Sequence, residues 1–165
     1  MKIVVADSSA LILLTKIQLI QPVVEHLEVY IPQTVYEEAA SSSLQGQFPD
    51  AQEIESLIQE GKITVKEVKK HQKLPVVLGK GEEDAIILFT ELKADLLLCD
   101  DGKALKVCRH LKIPFIISPR LAVEFYKKGW LDLKRTIDAL EQLREIGRYA
   151  PDIIARAFLE LRGSQ

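Results

Sequence analysis

The chain is 165 residues long, 47% hydrophobic and 28% charged, the composition of one soluble globular domain that can bury a core without disulfide or metal staples. Its 22 Lys and Arg against 24 Asp and Glu leave a net charge of -2, which excludes the broad basic field of a general nucleic-acid coat protein but not a nucleic-acid substrate met at a local site. Two cysteines, Cys99 and Cys108, exclude a disulfide framework and a CxxC zinc site, and the histidines 26, 71 and 110 form no HxH or HExxH pair.

Residues 2–6 (KIVVA) form a near-continuous apolar run, the pattern of a strand covered on both faces. The first twenty residues are apolar as a whole, but Asp7 and Lys16 interrupt them and no small-residue cleavage site follows, so they read as structure rather than as a leader. A helix is expected over 8–19, capped by Ser8 or Ser9. A second strand at 29–31 precedes a helix that Pro32 opens. Residues 41–49 (SSSLQGQFP) gather small residues and are expected to be the most flexible loop. Asp50 can cap a helix ending at Gly61.

Residues 62–68 (KITVKEV) alternate and predict an exposed edge strand guarded by Lys and Glu. The break at Gly79-Lys80-Gly81 precedes EEDAIILFTEL, a helix apolar on nearly every side and therefore buried. Strands at 96–99 and 114–117 alternate with helices over 102–112 and 120–128. Leu133, Ile137, Leu140 and Leu143, then Ile154, Ala157, Phe158 and Leu161, mark two amphipathic C-terminal helices. The alternation predicts an α/β domain over 1–131 with a mainly parallel central sheet, closed by a helical extension over 132–165 on the same domain. No uncharged run approaches the ~20 residues of a membrane span. With the sparse thiols this points to a cytoplasmic protein and no membrane partner.

In an open α/β sheet ligands bind beyond the carboxyl ends of the strands. Acids stand there: Asp7 after the first strand, Asp100 and Asp101 after the fourth. Acids gathered at neighbouring strand ends repel unless a cation neutralises them, and oxygen donors without His or Cys favour Mg²⁺ or Mn²⁺. Glu38 falls near the apolar side of its helix and is expected to face inward, whereas Glu37 lies on the polar side. Glu82, Glu83 and Asp84 open the buried helix, and at least one should point at a cleft.

Each acid also has an ordinary structural role open to it. Asp7 suits a helix N-cap, Asp100 and Asp101 a turn, and the three helical acids complement a helix dipole. No GxGxxG, Walker or GxSxG motif supports a nucleotide fold or a serine hydrolase. Basic residues cluster over 66–73 and 106–112 and at Arg120, Lys127 and Lys128; if they flank the acids they could hold a phosphate backbone.

The ordered set VVADSSALILLTKI, YIPQTVYEEA, GKGEEDAIIL, LLLCDDGKALKVCRHLKIP and GWL resembles the PIN-domain ribonucleases, including the toxins of VapBC-type toxin-antitoxin pairs. The resemblance implies a three-layer α/β/α PIN-like fold and a Mg²⁺- or Mn²⁺-dependent endoribonuclease. It assigns the acidic positions to Asp7, Glu38, Asp84 and Asp101, with Ser9 as an accompanying hydroxyl. Asp100, an acid additional to that pattern, and the Ser118 hydroxyl are further candidates around the ligands or the substrate. It further implies an RNA substrate, a small antitoxin protein as partner and a homodimer. Departures are Cys99 where the family often has Thr, Ala104 in place of an aromatic, and Ser118-Pro119-Arg120 at a turn usually rich in glycine and threonine. A non-catalytic PIN-like module binding RNA or protein is the alternative. A phosphoryl-transfer α/β protein is a weaker one, since Ser9 stands where a dehalogenase-like phosphatase needs Asp and a receiver's Lys is absent beside Ser118.

Overall fold

The computed structural model describes residues 1–41, 44 and 46–163. Five parallel strands form one sheet in the order β3-β2-β1-β4-β5: β1 (Ile3–Ala6), β2 (Glu28–Pro32), β3 (Ile63–Lys66), β4 (Leu96–Leu98) and β5 (Phe115–Ile116). Helices α1 (Ser8–Lys16) and α2 (Ile20–His26) link β1 to β2, and α3 (Gln33–Ala39) and α4 (Pro49–Gln59) link β2 to β3. Then α5 (Lys80–Leu92) carries the chain back across β1 to β4, and α6 (Gly102–Leu111) leads to β5. Helices α7 (Ser118–Lys127), α8 (Leu133–Ile146) and α9 (Pro151–Gly163) follow. This is the expected α/β/α arrangement, with β1 at the centre and β3 at the predicted edge.

Alternation along β1 divides the core. Val4 and Ala6 face a layer built from α1, α2, α3, α7, α8 and α9, while Val5 faces α5 and α6 through Ala85, Ile86, Leu88, Val107 and Cys108. Both faces of the sheet are covered, which is why its strands read as unbroken apolar runs. Ile154, Ala157 and Leu161 of α9 join the first layer, and Arg120 of α7 ion-pairs with Glu160 of α9. Arg120 and Lys127 therefore tie two helices together rather than standing free for a phosphate.

Some boundaries differ from expectation. The N-cap of α1 is Asp7, not Ser8 or Ser9, because its carboxylate accepts from Ala10 N at 2.9 Å. The expected helix over 8–19 stops at Lys16, and Gln18 turns through a left-handed φ of 62° before α2, which the sequence pattern had merged with α1. Pro32 ends β2 and is the N-cap of α3, one position before the first helical residue expected of it. Pro49 begins α4, and Asp50 lies in its first turn, 3.1 Å from Lys16 Nζ. The predicted flexible loop over 41–49 falls partly outside the described residues. Among the described residues no helix is long and apolar enough to cross a membrane.

Candidate functional site

The strand order reverses between β1 and β4: the chain winds outward to β3 on one side of β1, then to β5 on the other. Such a switch point opens a crevice at the carboxyl ends of the two strands. Register aligns Ala6 with Leu98, so Asp7 falls beside Cys99 and just ahead of Asp100. Likewise Leu98 aligns with Ile116, which sets Asp100 opposite Ser118.

These neighbours are joined by hydrogen bonds. Asp7 Oδ1 accepts from Ala10 N and, at 2.8 Å, from Ser9 Oγ; Ser9 Oγ in turn accepts from Asp100 N at 3.3 Å. Asp100 Oδ1 accepts from Ser118 N at 2.8 Å and from Tyr149 OH at 2.5 Å, and its Oδ2 accepts from Ser118 Oγ at 2.6 Å. Both oxygens of Asp100 are thus engaged. Asp7 Oδ2 is not: it is buried and meets no N–H or O–H donor among the described residues, and the Cys99 thiol beside this carboxylate is only a weak donor. Burial drives the Asp7 carboxyl up to about 6, against the lowering pull of Cys99, Ala10 N and Ser9, and the Asp100 charge adds to the rise.

The remaining acids approach from two helices. Asp84, 2% exposed, places Oδ2 on the Thr34 hydroxyl at 2.9 Å. Its Oδ1 makes ion-pair contacts with Lys80 Nζ at 3.3 Å and His71 Nδ1 at 3.4 Å but accepts no hydrogen bond. Glu38 is exposed, as is Glu37, so the expected inward face is not realised along the stem. Its tip nevertheless turns back, and Ser8 Oγ donates to Oε2 at 2.6 Å. Gly81 makes room for it, since a Cβ there would lie 2.6 Å from Glu38 Oε1 and 2.7 Å from Oε2. Asp101 caps α6 through Oδ2, which accepts from Ala104 N at 2.9 Å, the turn role open to it from sequence.

The structure therefore unites Asp7, Ser9, Asp100 and Ser118 in one network and gathers Glu38 and Asp84 on the packed pair α3 and α5. Among the described residues no three acids, histidines or cysteines converge closely enough to form a ready metal cage. Thr34, Ser8, Tyr149 and the Lys80 contact with Asp84 escaped the sequence reading, whereas His71 lies within the basic stretch over 66–73 that it marked. Thr34 and Ser8 adjoin segments the family pattern marked, whereas nothing local ties Tyr149 to Asp100, 49 residues away. A cavity of about 590 Å³ opens among Lys2, His26, Asp95 and Trp130 at the amino ends of the strands, away from these acids.

A family model described as a PIN domain matches residues 3–164. The chain belongs to the PIN-domain family. The match runs through α8 and α9 as well as the sheet. Among solved structures, this PIN domain is similar to a PilT N-terminus domain protein from the hyperthermophilic archaeon Sulfolobus solfataricus, at 19% identity and a TM-score of 0.52, over 79% of this chain and 94% of that one. That likeness bears on the fold alone. No curated protein matches the chain. The PIN domain is in general a nuclease fold, and its members usually use divalent metals.

Proposed function

We propose that this PIN domain is a metal-dependent endoribonuclease. The observation that carries the reading is Asp7 Oδ2, a buried carboxylate oxygen with no partner at the sheet's switch point. An anion in that position calls for a cation, and the carboxylates and hydroxyls that the fold brings to these strand ends are hard oxygens of the kind that suit Mg²⁺ or Mn²⁺. Asp7, Asp84 and Asp101 would hold the metal, with Glu38 reaching in over Gly81. When bound, the metal polarises the phosphodiester and acidifies a water for in-line attack.

The chain's own groups do the positioning. Ser9 and Ala10 N fix Asp7 Oδ1 so that Oδ2 points away from the helix it caps, and Thr34 does the same for Asp84. Lys80 supplies the positive charge beside Asp84 Oδ1, and its Nζ also lies 3.2 Å from His71 Nδ1. With that oxygen engaged by a metal, Lys80 would be available to contact an RNA phosphate.

Single-stranded RNA is the proposed substrate, because a flexible strand can follow a crevice between strand ends that a duplex cannot enter. We place the protein in the cytoplasm as the toxin of a toxin-antitoxin pair, a homodimer held in check by a small antitoxin protein that sets a cation against the acids. The second reading, a PIN-like module that binds RNA without cutting it, draws on the same Lys80 contact, which already balances Asp84. Incubation of labelled RNA with the pure protein, with and without Mn²⁺ and beside Asp7→Asn, separates the two. Mn²⁺-dependent cleavage lost in the variant supports the nuclease; binding without cleavage under any metal overturns it.

A further inference from the structure

The connection between α8 and α9 does more than close the fold. Gly147 ends α8, and a Cβ on it would lie 2.2 Å from Tyr149 Cε2, so only glycine lets the Tyr149 ring fold back beside the helix end. Its hydroxyl then reaches Asp100, and this bond fixes the connection against the turn after β4.

Between the two lies a cavity of about 330 Å³, walled by the Asp100-Asp101-Gly102 turn on one side and by Ile146 to Tyr149 on the other. Ile12 and Leu13 of α1 supply an aliphatic floor, and Ser9, which holds Asp7, lines the end nearest the acids. The volume sits at the lower end of the ~300–1,000 Å³ typical of small-ligand sites. Arg148 lines the rim, exposed and without an ion pair among the described residues, although Asp100 and Asp101 line the same cavity. Neither pairs with it: both oxygens of Asp100 are taken by Ser118 and Tyr149, and Asp101 spends Oδ2 on the α6 cap, which leaves Oδ1 for the proposed metal.

We propose that this cavity seats the nucleotide next to the scissile phosphate, with its base on Ile12, Leu13 and Ile146 and its backbone phosphate on the Arg148 guanidinium. A planar fork with no internal partner is suited to a phosphate, and aliphatic and aromatic walls accept any base face. The proposal rests on the nuclease reading for what happens at the neighbouring phosphate. The cavity's occupant follows from its own charge and shape. The C-terminal helices thereby become part of the substrate site, because they carry one wall of it.

The test is fluorescence anisotropy of a short labelled single-stranded RNA on Asp7→Asn protein, combined with Arg148→Ala, Arg148→Lys, Gly102→Leu or Arg144→Ala, over a salt series. Arg144 is exposed on α8 but does not line this cavity, and so controls for general charge. Arg148→Ala should weaken binding about tenfold and reduce the salt slope by about 0.7, the loss of one phosphate contact. Arg148→Lys should restore the slope. A Cβ on Gly102 meets nothing within 4 Å, so Gly102→Leu should enter the cavity and weaken binding with the slope unchanged. An equal loss in Arg144→Ala, or no change in Arg148→Ala, overturns the seat and leaves the nuclease reading standing. A wild-type protein that cuts nothing while Arg148→Ala still weakens binding overturns the nuclease and supports the seat.

Discussion

Replacing Asp7 with Asn should stabilise the metal-free protein near neutral pH. Burial carries the Asp7 carboxyl from an ordinary 3.8 to about 6 in the fold. Between those values the native state holds a proton the unfolded chain has released, so stability falls as pH rises through the window and levels off above about 6. A shift of about 2 units at about 1.36 kcal/mol per unit sets the penalty at roughly 3 kcal/mol. Asn keeps the acceptor that caps α1 through Ala10. Its amide nitrogen, however, replaces the oxygen without a partner, and an unmet buried N–H costs roughly 1–2 kcal/mol. The net gain of about 1–2 kcal/mol should raise Tm by about 2–8 °C in a chain of this size. Thermal melts with a chelator, at pH values from roughly 4 to 8, read it out: the variant's advantage should be full near neutrality, shrink below about 6, cross zero at about pH 5 and reverse toward the unfolded value, where only the cost of the unmet N–H remains. Added Mn²⁺ should reverse the order by stabilising the wild type alone. A variant that melts below the wild type by the same margin at every pH would refute the reasoning.

Three further outcomes follow from particular contacts. Tyr149→Phe removes one of three hydrogen bonds to Asp100 and should cost about 1–2 kcal/mol in urea unfolding; an unchanged midpoint would show that Ser118 suffices. Gly81→Ala forces the Glu38 tip off Ser8 while improving helix propensity by up to about 1 kcal/mol, so the variant should cut RNA more slowly at undiminished stability, and a wild-type rate would remove Glu38 from the mechanism. Burial pushes the Cys99 thiol up, helped by the nearby Asp7 charge, and drives the Cys108 thiol up to about 11, so neither should react with iodoacetamide in the native state at mildly alkaline pH. Rapid labelling of either would contradict that burial.

The strands were legible because both faces of the sheet are covered and their apolar runs are unbroken; even the short edge strand β3 announced itself by alternation. Asp7 was legible from its place after β1, and the structure adds that the helix cap uses only one of its two oxygens. Asp100 and Asp101 looked alike in sequence, and only register and the donors of Ser118 and Tyr149 tell a saturated carboxylate from a helix cap. Glu38 defeated the helical wheel because its tip, not its stem, makes the contact with Ser8. Arg120 looked like a phosphate ligand and is instead committed to Glu160, a partner 40 residues away that no local pattern reveals.

The central claim is that an RNA phosphodiester is cut by a metal held on Asp7. Single-turnover cleavage of labelled single-stranded RNA, followed against increasing Mn²⁺ for the wild type and for Asp7→Asn, tests it most directly. The wild-type rate should climb from background to a plateau and collapse on chelation, with the variant flat throughout. A wild-type rate indifferent to Mn²⁺, or a variant that rises along the same curve, would contradict the account.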